Sequence, residues 1–114
     1  MASHTLGGIL LGTPDADRLR EWYIKALNPR VEGPVLFFGD VVLVCDQRDD
    51  VGEKNPEPGR QILCFGVEDA MATAEHLNEL GVTWLTEVAD REQAWIGTLI
   101  DPDGNYVQIV QHKH

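Results

Sequence analysis

Apolar residues fall along this chain in short runs of strand length, interrupted twice by stretches with helical spacing. The first run, Thr5-Leu-Gly-Gly-Ile-Leu-Leu-Gly12, is apolar and bounded by glycine, which predicts a strand buried on both faces. Thr13-Pro14-Asp15 then opens a helix with a capping side chain, a proline suited to the first turn and an acid at the positive end of the helix dipole. Leu19, Trp22, Tyr23, Ala26 and Leu27 recur at i, i+3, i+4, i+7 and i+8, a single apolar stripe that predicts a core-facing helix ending at Asn28-Pro29. After a very short strand near Arg30 to Gly33, Val35-Leu-Phe-Phe38 and Val41-Val-Leu-Val-Cys45 flank Gly39-Asp40, which reads as a tight hairpin.

Residues 48–60 are polar and proline-rich with no apolar period, and read as a linker. The pattern then starts again. Gln61 to Val67 predicts a strand. Glu68-Asp69 caps a helix with the stripe Ala70, Ala74, Leu77 and Leu80, closed by Gly81, and strands follow over Val82 to Val88, Gln93 to Ile100 and Asn105 to Gln111. A shift of 54 residues lays Gly12-Thr-Pro-Asp-Ala16 on Gly66-Val-Glu-Asp-Ala70, and a shift of 65 lays Gly39-Asp-Val41 on Gly104-Asn-Tyr106. The expected fold class is therefore α+β: one domain over 1–114, built from two βαβββ modules at 5–47 and 61–112.

The last hairpin turns on Asp101-Pro-Asp-Gly-Asn105, where proline presets one φ and glycine supplies a positive one. This turn and the paired βαβββ order resemble the vicinal oxygen chelate superfamily, which includes glyoxalase I, extradiol dioxygenases and bleomycin-resistance proteins. The resemblance implies two half-barrels curled around one cavity, and a homodimer. It also implies a divalent metal held by a ligand on the first and last strand of each module. Counting from the helix caps and the turn glycines puts those positions at Gly8, Leu43, Ile62 and Gln108. Only Gln108 offers an oxygen, and one neutral amide does not hold a catalytic ion, so no metal and no cofactor are expected. His4, His76, His112 and His114 lie off these positions.

If the metal positions face inward, alternation along the strands assigns the cavity lining. Gly8, Leu10 and Gly12 point in from the first strand and Val41, Leu43 and Cys45 from the fourth; Ile62, Cys64, Tyr106, Gln108 and Val110 complete the set. The alternate set, including Ile9, Leu11, Val42, Val44, Leu63, Phe65, Val107 and Ile109, would pack under the helices. Trp84 and Trp95 are placed either as flat walls for an aromatic ligand or as core or dimer-interface packing. Asp40 and Asp101 read as turn residues, and neither cysteine has an evident base partner, so no catalytic set is found.

The two cysteines, each inside an apolar run, read as buried hydrophobes without a disulfide. A net charge of -10 makes nucleic acid an unexpected partner, and serves either solubility or the attraction of a cationic ligand. No apolar run approaches the roughly 20 residues of a membrane span, so a cytoplasmic protein is expected. Function narrows to a metal-free protein that binds or sequesters a small organic molecule, aromatic or cationic. The alternative is a metal-independent or atypical-metal lyase, isomerase or dioxygenase on the same scaffold.

Overall fold

A computed structural model describes residues 2–113, which divide into two compact units between Glu53 and Lys54. The first unit runs β1 (Gly8–Thr13), α1 (Ala16–Leu27), β2 (Arg30–Glu32), β3 (Val35–Phe38) and β4 (Val41–Gln47). Its sheet has the order β1-β4-β3-β2, with β1 parallel to β4 and the other neighbours antiparallel. The second unit repeats the plan: β5 (Leu63–Gly66), α2 (Ala70–Glu79), β6 (Thr83–Asp90), β7 (Ala94–Ile100) and β8 (Tyr106–His112), in the order β5-β8-β7-β6. Each module is a four-stranded mixed sheet with a helix on one face, as the repeated pattern predicts.

Both helices start on an aspartate. The Asp15 carboxylate accepts from Arg18 N and that of Asp69 from Ala72 N, filling orphan donors of the first turn. A second anchor comes from the last strand of each module. Gln47 Oε1 accepts from Ala16 N at 2.9 Å, and Gln111 Oε1 accepts from Ala70 N at 2.8 Å. Gln47 and Gln111 are 64 residues apart, so the last strands repeat with a shift of 64, one less than the turn glycines suggest.

That one residue decides which way β4 faces. Register pairs Ile9 with Leu43 and Leu11 with Cys45, while Gly8, Leu10 and Gly12 pair with Val42, Val44 and Asp46. Leu43 and Cys45 are therefore on the helix side, buried at 3% and 5% exposure with Leu36 beneath α1, whose stripe buries Leu19, Tyr23 and Ala26. Val41, Leu43 and Cys45, expected to line a cavity, are thus on the helix side, and Val42 and Val44 are on the helix-free face instead. The cause is geometric: the side-chain period of a strand is two, so a slip of one residue exchanges the faces.

The polar stretch 48–60 is also more tightly held than a linker. Arg48 N donates to Thr13 O, and its guanidinium holds the carboxylates of Asp46 and Asp50, which raises its own pKa and lowers that of Asp50. Lys54 Nζ donates to Pro102 O, Asn55 N to Asp103 O and Asn55 Nδ2 to Asn105 Oδ1. Residues up to 53 thus belong with the first unit, and 54–60, including a 3₁₀ turn at Pro58–Arg60, with the second.

Candidate functional site

The helix-free face of the second sheet carries a row of polar side chains. On the helix side of this sheet, Leu63, Phe65, Val107, Ile109 and Leu99 align, with Val107, Ile109 and Leu99 at 0% exposure. The opposite parity brings Cys64, Gln108 and Thr98 into one row across β5, β8 and β7. Gln108 Nε2 donates to Thr98 Oγ1 at 3.2 Å, and Cys64 Sγ donates to Gln108 Oε1 at 3.5 Å. Thr98 is buried, Gln108 half-buried and Cys64 exposed, so the row runs from closed to open across the face.

Apolar and aromatic groups flank the row. On one side β8 places half-buried Tyr106 opposite Ile100; on the other it places Val110 opposite Ile96, with Gly66 beyond. A Cβ added at Gly59 of the 3₁₀ turn would meet the Tyr106 ring at 3.9 Å, so that turn lies against the phenol. In the first sheet the equivalent face carries Gly8, Leu10, Val42, Val44, Val35 and Phe37 over β1, β4 and β3, with Asp46 at one end and the ion-paired Arg30 and Glu32 on β2, the Arg30 guanidinium lying 4.0 Å from the centre of the Phe37 ring. Leu10 is 71% exposed.

Of the residues assigned to the ligand side by sequence, Cys64, Tyr106, Gln108 and Val110 share one face of the second sheet, and Leu10 is on the helix-free face of the first. Ile62 lies just before β5, with 37% exposure. Trp84 and Trp95 are on the helix side. Trp84 pairs with Leu99 and its Nε1 donates to Asn78 Oδ1 of α2; Trp95 pairs with Gln111, and Lys113 Nζ lies 5.0 Å from its ring centre. Sequence reasoning missed Thr98. Its signal was available in the alternation along β7, where Ile96, Thr98 and Ile100 share a parity with one hydroxyl among them.

The donor set does not suit a divalent metal. The register makes Leu10 and Val44 the counterparts of Cys64 and Gln108, and Gly8, Val42 and Ile62 add no oxygen or nitrogen donor. Among the described residues no three His, Cys, Asp or Glu side chains are grouped to hold an ion. Asp101 of the turn is engaged in structure: its Oδ1 accepts from Asp103 N and Asn105 N, and its Oδ2 from Asn105 Nδ2. Cys64 Sγ meets an amide oxygen and, at 3.9 Å, the carbonyl of Ile62, neither of which is a base that takes a thiol proton.

A paired four-strand module with this turn defines the glyoxalase-like class, and comparison with known families agrees. The glyoxalase-like domain family matches residues 8–110, and the chain belongs to it. No curated protein matches the chain. Solved structures share its fold at low identity. TnmS3, an antibiotic binding protein from Streptomyces sp. CB03234, is 20% identical, covers 99% of both chains and superposes with a TM-score of 0.72. A glyoxalase/dioxygenase from Nostoc punctiforme is 16% identical, over 96% of this chain and 92% of that one, with a TM-score of 0.79. A protein from the mobile metagenome of V. Pseudocholerae is 22% identical, over 100% and 98%, with a TM-score of 0.79.

Proposed function

We propose that the chain binds a small, planar organic molecule, without a metal, against the helix-free face of the second sheet. The observation that carries this is the neutral row Cys64, Gln108 and Thr98 set between Tyr106 on one side and Val110 with Ile96 on the other. Apolar and aromatic walls with a few placed polar groups are the general build of small-molecule sites. An antibiotic binding protein with the same fold supports the reading, and a net charge of -10 favours ligands that carry a positive charge beside the flat ring.

A homodimer belongs to the same proposal. β1 and β5 end their sheets, and Leu6, Leu10 and Ile62 on or beside them are exposed at 69%, 71% and 37%. An end strand that exposes apolar side chains is a pairing surface unless something covers it.

Amide NMR spectra recorded with a panel of neutral and cationic planar aromatics test the binding site. Saturable shifts concentrated at Thr98, Tyr106, Gln108 and Val110 are expected for at least one member. Shifts scattered over the helices, or none with any member, would overturn the proposal.

A further inference from the structure

The polar row fixes what kind of ligand edge it can read. A glutamine amide has two N–H donors and two oxygen lone pairs. In the strand order β5-β8-β7, Cys64 and Thr98 stand on opposite sides of Gln108, and each takes one of these four valences, Cys64 at the oxygen and Thr98 at the nitrogen. Because these partners are lateral, the amide is clamped across the sheet. With the two lateral valences taken, an amide is left with its outer N–H and lone pair, which are adjacent and form a donor–acceptor edge facing the helix-free side. Turning the amide over exchanges the two atoms and leaves the same pair.

We infer that Gln108 reads a neutral donor–acceptor edge, the pattern of a lactam or cis-amide fused to or carried on a planar ligand. This rests on the binding face proposed above and deepens it. A carboxylate on the ligand would find one donor and one repelling lone pair; an amidinium would find one acceptor and one repelling N–H. A lactam satisfies both atoms at once, and its flat ring extends between Tyr106 and Val110. Neither Cys64 nor Thr98 is charged, so nothing in the row shifts that preference. A half-buried amide whose donor and acceptor are both left unmet by the wrong ligand is the arrangement that discriminates by hydrogen bonding rather than by size.

2-Quinolone and N-methyl-2-quinolone are the probes, because methylation removes the lactam N–H and keeps the ring and the carbonyl. We expect 2-quinolone to shift the Gln108 side-chain amide signals, with its methylated form binding roughly tenfold or more weakly, the value of one hydrogen bond of about 1.4 kcal/mol. Gln108→Glu, which lacks the donor, should weaken 2-quinolone similarly and improve benzamidine. Gln108→Met should abolish the difference between the two quinolones, with its backbone spectrum confirming the fold. In the free protein, Thr98→Val should move the Gln108 Nε2 proton signals.

Equal binding of the two quinolones, with shifts at Tyr106 and Val110 but none at the Gln108 side chain, would overturn the inference and leave the binding face standing. Binding of neither quinolone would also overturn it, while the aromatic panel decides separately whether the face binds ligands at all. Gln108 signals that do not respond to Thr98→Val would overturn the clamp itself.

Discussion

Asp90 is held in its charged form by two donors at the end of the second module. Its Oδ1 accepts from Lys113 Nζ at 2.5 Å and from Glu92 N at 3.0 Å, and these place its pKa below the ordinary aspartate value of 3.8. A carboxyl whose folded pKa is depressed adds stability above its unfolded pKa and loses it as pH falls through the folded one. Acidification below pH 3.8 should therefore release Lys113 and withdraw its ammonium from the Trp95 ring. A carboxyl-carbon NMR titration should give Asp90 a midpoint below 3.8, and Lys113→Ala should raise it; an unchanged midpoint would refute the pairing. The pair is exposed, so its effect on global stability is small. At this scale legibility was uneven. Gln108 was found by counting from a turn glycine, yet its contacts Thr98 and Cys64 are 10 and 44 residues away, and strand pairing alone brings them together. Leu43 was put on the wrong face because one extra residue between turn and strand reverses every side chain.

Each helix is seated on its sheet by a glutamine from the module's last strand, and this anchor was invisible in the sequence because it joins residues 31 and 41 positions apart. The helices themselves were legible: the Asp15 and Asp69 caps and the apolar stripes fixed both starts and the buried sides. Replacing Gln111 by Leu should leave the Ala70 N–H without its acceptor and cost about 1 kcal/mol, the range for a lost cap or neutral hydrogen bond. Urea unfolding should show a lower midpoint with unchanged slope, and hydrogen exchange should quicken in the first turn of α2. No change in either would mean that the Asp69 cap alone holds the helix start. The expected linker over 48–60 contains the boundary between the two compact units. Its lack of apolar period is real, but its order comes from polar contacts, Lys54 and Asn55 with the Pro102–Asn105 turn and Arg48 with Asp46 and Asp50, which a hydropathy pattern does not record.

For the whole molecule, the proposed dimer joins two chains of net charge -10, so repulsion opposes association and salt should relieve it. Sedimentation should find a species of twice the 12.7 kDa chain mass, with a dissociation constant that tightens from low to moderate salt. A single chain mass at every concentration and salt level would rule the dimer out. The family was legible from one turn and a repeated element order, because these are local features; the boundary between the compact units falls inside the 48–60 stretch expected as a linker, and its place at Glu53 and Lys54 depends on which unit each polar loop residue bonds to.

The duplicated architecture also carries a record of divergence. Asp15 and Asp69, Ala16 and Ala70, Gln47 and Gln111 occupy matching places and do the same work at the helix starts. At the matching places on the helix-free faces, Leu10 and Val44 stand where the second copy has Cys64 and Gln108. The chain thus aligns with itself, separating positions committed to architecture from positions free to specialise. The second copy's helix-free row is polar where the first has Leu10 and Val44, so if that face binds as proposed, its specificity can be redesigned in half the molecule without disturbing the joints that both halves share.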